Sequence, residues 1–304
     1  MKFEGIYTPA ITPLAANGDI DHAAFADVLE YLIEANVHGI IIGGSTGEYY
    51  AHTAAERLEL AAKAKDVIQR RVPLIIGTGA IRTADSVQYA EHARRINADA
   101  ILVGSPPYAL PTEQENATHT LKVDSAAGLP IMLYNYPARM GVNMGDEYFA
   151  AVAGCKNIVA IKESSGDMAR VHRIARHYPQ VGLSCGWDDQ ALEFFAWGAR
   201  SWVCAGSNFI PREHVALYEA CVVEKDFDKG RRIMSELMPL MDFLETGKFV
   251  QSIKYGSELS GLHTGGVRAP LQALTEQEKA TLQGIVATLK RNVSAIVEGR
   301  DSSA

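Results

Sequence analysis

Lys162 stands at the end of an apolar run, "IVAIK" (158–162), just before the small polar loop "ESSGD" (163–167). An amine that leaves such a run either points into a closed interior or passes through it to the mouth. In both places desolvation disfavours its charged form. A neutral lysine amine is a nucleophile toward carbonyl carbon. Lowering an ordinary lysine pKa of about 10.4 to about 7 takes about 4 kcal/mol of environmental bias, which apolar walls and nearby dipoles can supply. The competing reading is a lysine that snorkels to water or pairs with Glu163.

Tyr134 lies near the end of the preceding run, "PIMLYN" (130–135). Imine chemistry needs a group that moves protons on and off the carbinolamine and the substrate hydroxyl. A phenol beside the lysine is such a group if hydroxyl partners relay protons to it, and Ser45, Thr46 and Tyr108 stand at other run ends. The alternative is a tyrosine packed in the core with its hydroxyl satisfied. "GGSTGE" (43–48) is a glycine-rich turn with hydroxyls, opening a helix. Backbone N–H groups at such a turn bind anions. It lacks the lysine of a nucleotide-binding loop, so a carboxylate fits better; a tight turn that merely requires glycine is the other reading. "YNYPAR" (134–139) adds Arg139, and "GWDD" (186–189) adds Gly186, Asp188 and Asp189. The acidic pair could also cap the following helix, "QALEFFAWG" (190–198). "SWVCAG" (201–206) and "GSN" (206–208) add Val203 and Ser207.

These candidates share one place in a repeated pattern: a β-rich run, a loop of Gly, Ser, Thr or Pro, then an amphipathic stretch. The runs are "GIYTPAI" (5–11), "GIIIGG" (39–44), "PLIIGTG" (73–79), "DAILVGS" (99–105), 130–135, 158–162, "VGLSCG" (181–186) and 201–206. Most are continuously apolar, as parallel strands covered on both faces are. Helical patterns such as "AAFADVLEYLIEAN" (23–36) and "AAERLELAAKAKDVIQR" (54–70) lie between them. Eight β-then-α units predict an α/β fold, a (β/α)8 TIM barrel, rather than a doubly wound sheet. Further helical patterns follow the eighth run. The expected division is a barrel over 1–225 and a C-terminal helical region packed on it over 226–304. In such a barrel chemistry sits where strands end.

The chain has 304 residues, 47% hydrophobic and 21% charged, with a formal charge of -7 and a pI of about 5.7. That balance argues against nucleic acid as a partner, since phosphate binding needs clustered Lys and Arg. No basic start with an apolar leader and no apolar stretch of about 18 residues is present, so a cytoplasmic protein without membrane contact is expected. Cys155, Cys185, Cys204 and Cys221 lack C-x-x-C spacing and read as buried small hydrophobes. The nine histidines are scattered, most of them expected at the surface, and no metal site is expected. The tail "EGRDSSA" (298–304) reads as frayed.

Together, "GGSTGE", "YNYPARMG" (134–141), "IVAIKESSGD", "GWDD" and "GSN" resemble the dihydrodipicolinate synthase / N-acetylneuraminate lyase family of class I aldolases, over nearly the whole chain, from Gly5 to about Leu289. The resemblance implies a barrel with a C-terminal helical region, homotetramers built from tight dimers, and a lysine imine with pyruvate or another 2-oxo acid, with no metal or other cofactor. It assigns the imine to Lys162, proton transfer to Tyr134, and the linking hydroxyl to Ser45. Tyr108 becomes a second tyrosine that reaches across the dimer interface. The amides of Thr46 and its neighbour Gly47 would hold the 2-oxo acid carboxylate, and Arg139 the carboxylate of an aldehyde substrate. Arg139 and "KESSGD" speak for a 4-hydroxy-tetrahydrodipicolinate synthase. "GGSTGE", "SPPYALP" (105–111) and "GWDD" depart from that pattern; the last resembles enzymes of N-acetylneuraminate and 2-keto-3-deoxy sugar acids, in which the acidic pair, Asp188 and Asp189 here, accepts hydrogen bonds from substrate hydroxyls. A barrel that binds a metabolite without turnover is the reading from another class.

Overall fold

Each of the eight runs forms a strand, and six of the strands stop before the run does, because the chain turns into its loop early. The computed structural model describes residues 1–300; the expectations for 301–304, part of the frayed tail and the end of the C-terminal region, lie outside them. The strands are β1 (Gly5–Pro9), β2 (Gly39–Ile42), β3 (Leu74–Gly77), β4 (Ala100–Gly104), β5 (Ile131–Asn135), β6 (Ile158–Glu163), β7 (Gly182–Cys185) and β8 (Ser201–Val203). All neighbours pair in parallel and β8 closes on β1, so the sheet is a closed barrel. The expected TIM barrel is the observed fold.

Helices α1 (His22–Glu34), α2 (Ala54–Ile68), α3 (Thr83–Arg95) and α4 (Glu113–Ala127) follow the first four strands. Asp21 caps α1, and reciprocal Thr–Glu boxes open α2 (Thr53, Glu56) and α4 (Thr112, Glu115), satisfying amides that a helix start leaves bare. Two short helices, α5 (Pro137–Met140) and α6 (Asp146–Val152), follow β5; α7 (Met168–His177) and α8 (Ala191–Ala196) follow β6 and β7. After β8 come α9 (Pro211–Tyr218), a π-helical continuation over 219–224, then α10 (Phe227–Glu245), α11 (Phe249–Glu258) and α12 (Glu276–Val297). α10 packs on α8, α9 and the turn at 188–190, and α12 packs on α9, α10 and α11. No helix among the described residues is long and apolar enough to cross a membrane.

Two apolar layers result. Ile, Val, Leu and Phe side chains fill the space between barrel and helices. Inside the barrel, Phe3, Tyr7, Ile41, Ile75, Leu102, Met132, Ala160 and Val203 pack with Tyr134 into a closed floor. The period-two alternation of a strand then decides the two neighbours at the end of β6. Lys162 shares the inner face, while Glu163 turns outward to Asn135 Nδ2 (3.0 Å), the Ser165 amide (2.9 Å) and Arg170 Nε (3.3 Å). The Lys162–Glu163 pairing weighed above therefore does not occur. The histidines also depart from expectation: only His177 and His263 are exposed, and His119 and His214 are buried. Of the cysteines, three are buried and Cys155 is half-buried.

One buried ion pair ties the C-terminal helices to the turn after β2. Lys254 Nζ on α11 lies 2.6 Å from Glu48 Oε2, both side chains almost wholly buried, and it also donates to Gly266 O at 2.7 Å. Glu48 ends "GGSTGE" in the left-handed region at φ 57, a conformation that the pairing helps to hold. Removing one partner strands the other charge. Lys254→Met is therefore expected to lower unfolding free energy by about 3–5 kcal/mol in denaturant titrations, and Glu48→Gln in the same chain to restore part of it.

Candidate active site

Lys162 and Tyr134 are brought side by side by register: Tyr134 pairs with Lys162 across β5 and β6, and Lys162 with Ser184 across β6 and β7. The lysine is 9% exposed, and its Nζ lies 4.2 Å from the centre of the Tyr134 ring. Gly186 makes room for it. A Cβ there would sit 2.7 Å from Lys162 Cγ and 2.0 Å from Ser164 Oγ, so the lysine can run up the barrel wall only past a glycine.

Burial pushes the Lys162 amine down to about 8, against the opposing pull of Asp188. Burial pushes the Tyr134 phenol the other way, up to about 12, while the positive charge of Arg139 and the hydroxyls of Ser45 and Ser164 draw it back. The phenol therefore stays protonated at neutral pH, beside an amine that can lose its proton. Ser164 is buried, with its hydroxyl acting on the Tyr134 phenol.

Eight of the candidates line one cavity at the C-terminal mouth of the barrel: Ser45, Thr46, Tyr134, Arg139, Lys162, Gly186, Asp188 and Val203. Arg139 reaches over it from α5, its guanidinium 5.3 Å from the Tyr136 ring centre and 5.9 Å from that of Phe249. Asp188 does not cap α8. Its Oδ1 instead accepts a hydrogen bond from Trp202 Nε1 at 2.9 Å, and burial raises its carboxyl to about 6.

The other four candidates lie elsewhere. Tyr108 is 89% exposed, outside the cavity of its own chain. The Gly47 amide is already used, donating to Gly44 O at 3.1 Å, and its carbonyl accepts from Thr12 Oγ1 at 2.9 Å. Asp189 does not line the cavity, and burial, together with the negative charges of Glu193 and Asp242, raises its carboxyl. Ser207 is buried behind the wall, 2.7 Å from Thr8 Oγ1 and donating to Cys204 O at 2.6 Å.

Sequence reasoning missed Tyr136, Trp187, Glu245 and Phe249, which with Pro9, Gly44, Leu102 and Ala205 complete the lining. Tyr136 and Trp187 were within reach, since they sit inside the quoted motifs; their rings meet edge-on at 6.3 Å and form one wall. Glu245 and Phe249 come from the junction of α10 and α11, where strand-end logic does not apply. Among the described residues no three His, Cys, Asp or Glu side chains gather as a metal would require.

Known proteins share this fold and much of this sequence. The sequence model of the Dihydrodipicolinate synthetase family matches residues 2–289. A 4-hydroxy-tetrahydrodipicolinate synthase from Exiguobacterium sibiricum is 36% identical over 281 residues, 92% of this chain and 96% of that one. Among solved structures, the 4-hydroxy-tetrahydrodipicolinate synthase of Methylacidiphilum fumariolicum SolV superposes with a TM-score of 0.92 at 30% identity, over 98% of this chain and 99% of that one. A prophage protein of the dihydrodipicolinic acid synthase family from E. coli K12, solved in complex with pyruvate, gives a TM-score of 0.89 at 29% identity, over 95% and 99%. A barrel whose lysine and tyrosine meet at its mouth, with relatives of this likeness along its whole length, is a lyase of the Schiff-base aldolase type, and the chain belongs to the Dihydrodipicolinate synthetase family.

Proposed function

We propose that this protein joins pyruvate, or a related 2-oxo acid, to a small aldehyde by aldol chemistry through an imine on Lys162, as a 4-hydroxy-tetrahydrodipicolinate synthase does. The observation that carries the reading is the amine itself: enclosed in the barrel, brought down to about 8, and in register with Tyr134. The neutral amine adds to the keto carbon, and the carbinolamine loses water. The resulting cationic imine withdraws electrons, so the adjacent carbon gives up a proton and attacks the aldehyde. Tyr134 is the proton donor and acceptor in these steps, because it holds its proton until a stronger base appears beside it. Ser45 and Ser164 relay protons to it. With the Gly47 amide engaged, the carboxylate of the 2-oxo acid falls to the amides of Ser45 and Thr46 at the anion-binding turn.

Arg139 is assigned to a carboxylate on the aldehyde, which its guanidinium can hold by a charge-assisted hydrogen bond. A second reading, a 2-keto-3-deoxy sugar acid or N-acetylneuraminate substrate, is favoured by one observation: Asp188 and Glu245 share the cavity with the Trp187 face and offer acceptors for hydroxyls. We also assign Tyr108 to a neighbouring subunit's site within a homotetramer, a dimer of dimers. Its exposure beside Leu110 (61% exposed) supports that role. Four free cysteines support work in the cytoplasm. A barrel over 1–225 carrying a helical region from 226 onward completes the proposal, that region supplying Glu245 and Phe249 to the mouth.

Pyruvate with borohydride is expected to add the mass of a reduced pyruvyl group at Lys162 and nowhere else, and Lys162→Arg to abolish the adduct; an unmodified wild-type protein would defeat the imine reading and revive the barrel that binds without turnover. Arg139→Ala is expected to lower kcat/KM by about 10–100-fold for aldehydes that carry a carboxylate and little for those without one. Indifference of that variant, with turnover confined to keto-deoxy sugar acids, would favour the second reading.

A further inference from the structure

Asp188 opens a one-turn 3-10 segment after β7; the residue is half-buried and lines the cavity. Burying a carboxylate in this way costs free energy unless a partner offsets it. The partner on one oxygen is the indole N–H of Trp202, at 2.9 Å. Trp202 is wholly buried in β8, with the rings of His214 at 4.6 Å and Phe195 at 6.3 Å around it, so its donor direction is set by packing. No cap on α8 and no ion pair within 4 Å explains why the chain builds a carboxylate here. What faces Asp188 is Lys162 from β6, Glu245 from α10 and the backbone at Ala205. What faces Lys162 is the phenol of Tyr134, its ring centre 4.2 Å from the nitrogen, together with Asp188, the phenol of Tyr136, Arg139, and the thiol of Cys185, which burial keeps protonated. Of the charged groups acting on the lysine nitrogen, Arg139 repels positive charge and Asp188 attracts it.

We propose that Trp202 is a positioning residue that holds Asp188 as the counter-charge of the Lys162 imine, offsetting the positive charge that the nitrogen carries after condensation. This rests on the imine chemistry proposed above. One neutral amine, one ketone and one proton give one N-protonated imine and one water, so a cation appears in a cavity that burial has made hostile to cations. A fixed carboxylate there keeps the imine protonated and hence electron-withdrawing, at no cost of reorganisation during the reaction. Burial and Asp188 thus work in opposite senses on one nitrogen: burial frees the amine to attack, and the carboxylate retains the charge once the bond has formed. With its own carboxyl at about 6, Asp188 is still mostly ionised at neutral pH.

The test uses the full-length protein with pyruvate alone, so that no second substrate enters, and reads the initial rate of imine formation against pH. Asp188→Asn, which keeps the shape, is expected to move the midpoint of that profile down by about 1 pH unit, because an opposite charge has been removed from the amine. Trp202→Phe is expected to move it the same way by less, since Asp188 loses the donor that favours its ionised form, and the double variant is expected to go no further than Asp188→Asn. If Trp202→Phe does not fold, Asp188→Asn decides the matter alone. Unshifted or upward-shifted midpoints would overturn the inference and leave Asp188 as a residue that binds substrate hydroxyls. A wild type that forms no imine with pyruvate would be a failure of the imine chemistry itself, a different result from normal formation with an unshifted midpoint.

Discussion

The desolvation of one amine governs this structure. Lys162 is 9% exposed at the inner end of β6, and a charge in that place is penalised by everything that makes the barrel stable. For a lysine brought from 10.5 to about 8, the penalty is about 3 kcal/mol below pH 8. Between pH 8 and 10.5 the unfolded chain binds more protons at this site than the folded one, so the penalty is relieved as pH rises through that window. The fold tolerates the loss because a neutral amine is what carbonyl chemistry requires.

The surrounding architecture follows from keeping that amine reachable as well as dry. Parallel register puts Tyr134 on its flank, the missing Cβ of Gly186 lets the side chain climb to the mouth, and the floor of Tyr7, Met132 and Ile75 closes the barrel below. The C-terminal helices then take part from two directions. Lys254 locks the turn after β2 through Glu48, and the α10–α11 junction brings Glu245 and Phe249 to the rim. The helical region therefore bears on the site rather than merely covering the barrel.

Much of this was legible in the chain because a βα repeat converts sequence position into spatial position. A residue at the end of an apolar run is at the mouth, which is why Lys162, Tyr134, Ser45, Thr46, Arg139, Gly186, Asp188 and Val203 could be gathered before any coordinates. The reasoning failed where a single step of phase decides a side chain's direction. Asp188 enters the cavity while Asp189 does not, and Ser207 ends behind the wall although Val203 lines it. Nothing local marks Trp202 as the partner of Asp188, fourteen residues away, because that contact depends on closure of β7 against β8. Glu245 and Phe249 depend on helix packing across the whole molecule. Tyr108 lies exposed, outside the cavity of its own chain.

The central claim is most directly tested by titrating the Lys162 amine itself. In protein carrying lysine labelled with 13C at the ε position, the Lys162 resonance, assigned by its loss in Lys162→Arg, is followed from pH 6 to about 11, the range that spans the shifted and ordinary lysine values. A midpoint near 8 is the result that burial at the barrel mouth requires. A midpoint at the ordinary value of 10.5 would mean that the nitrogen is solvated and charged, and the account of the site would be wrong.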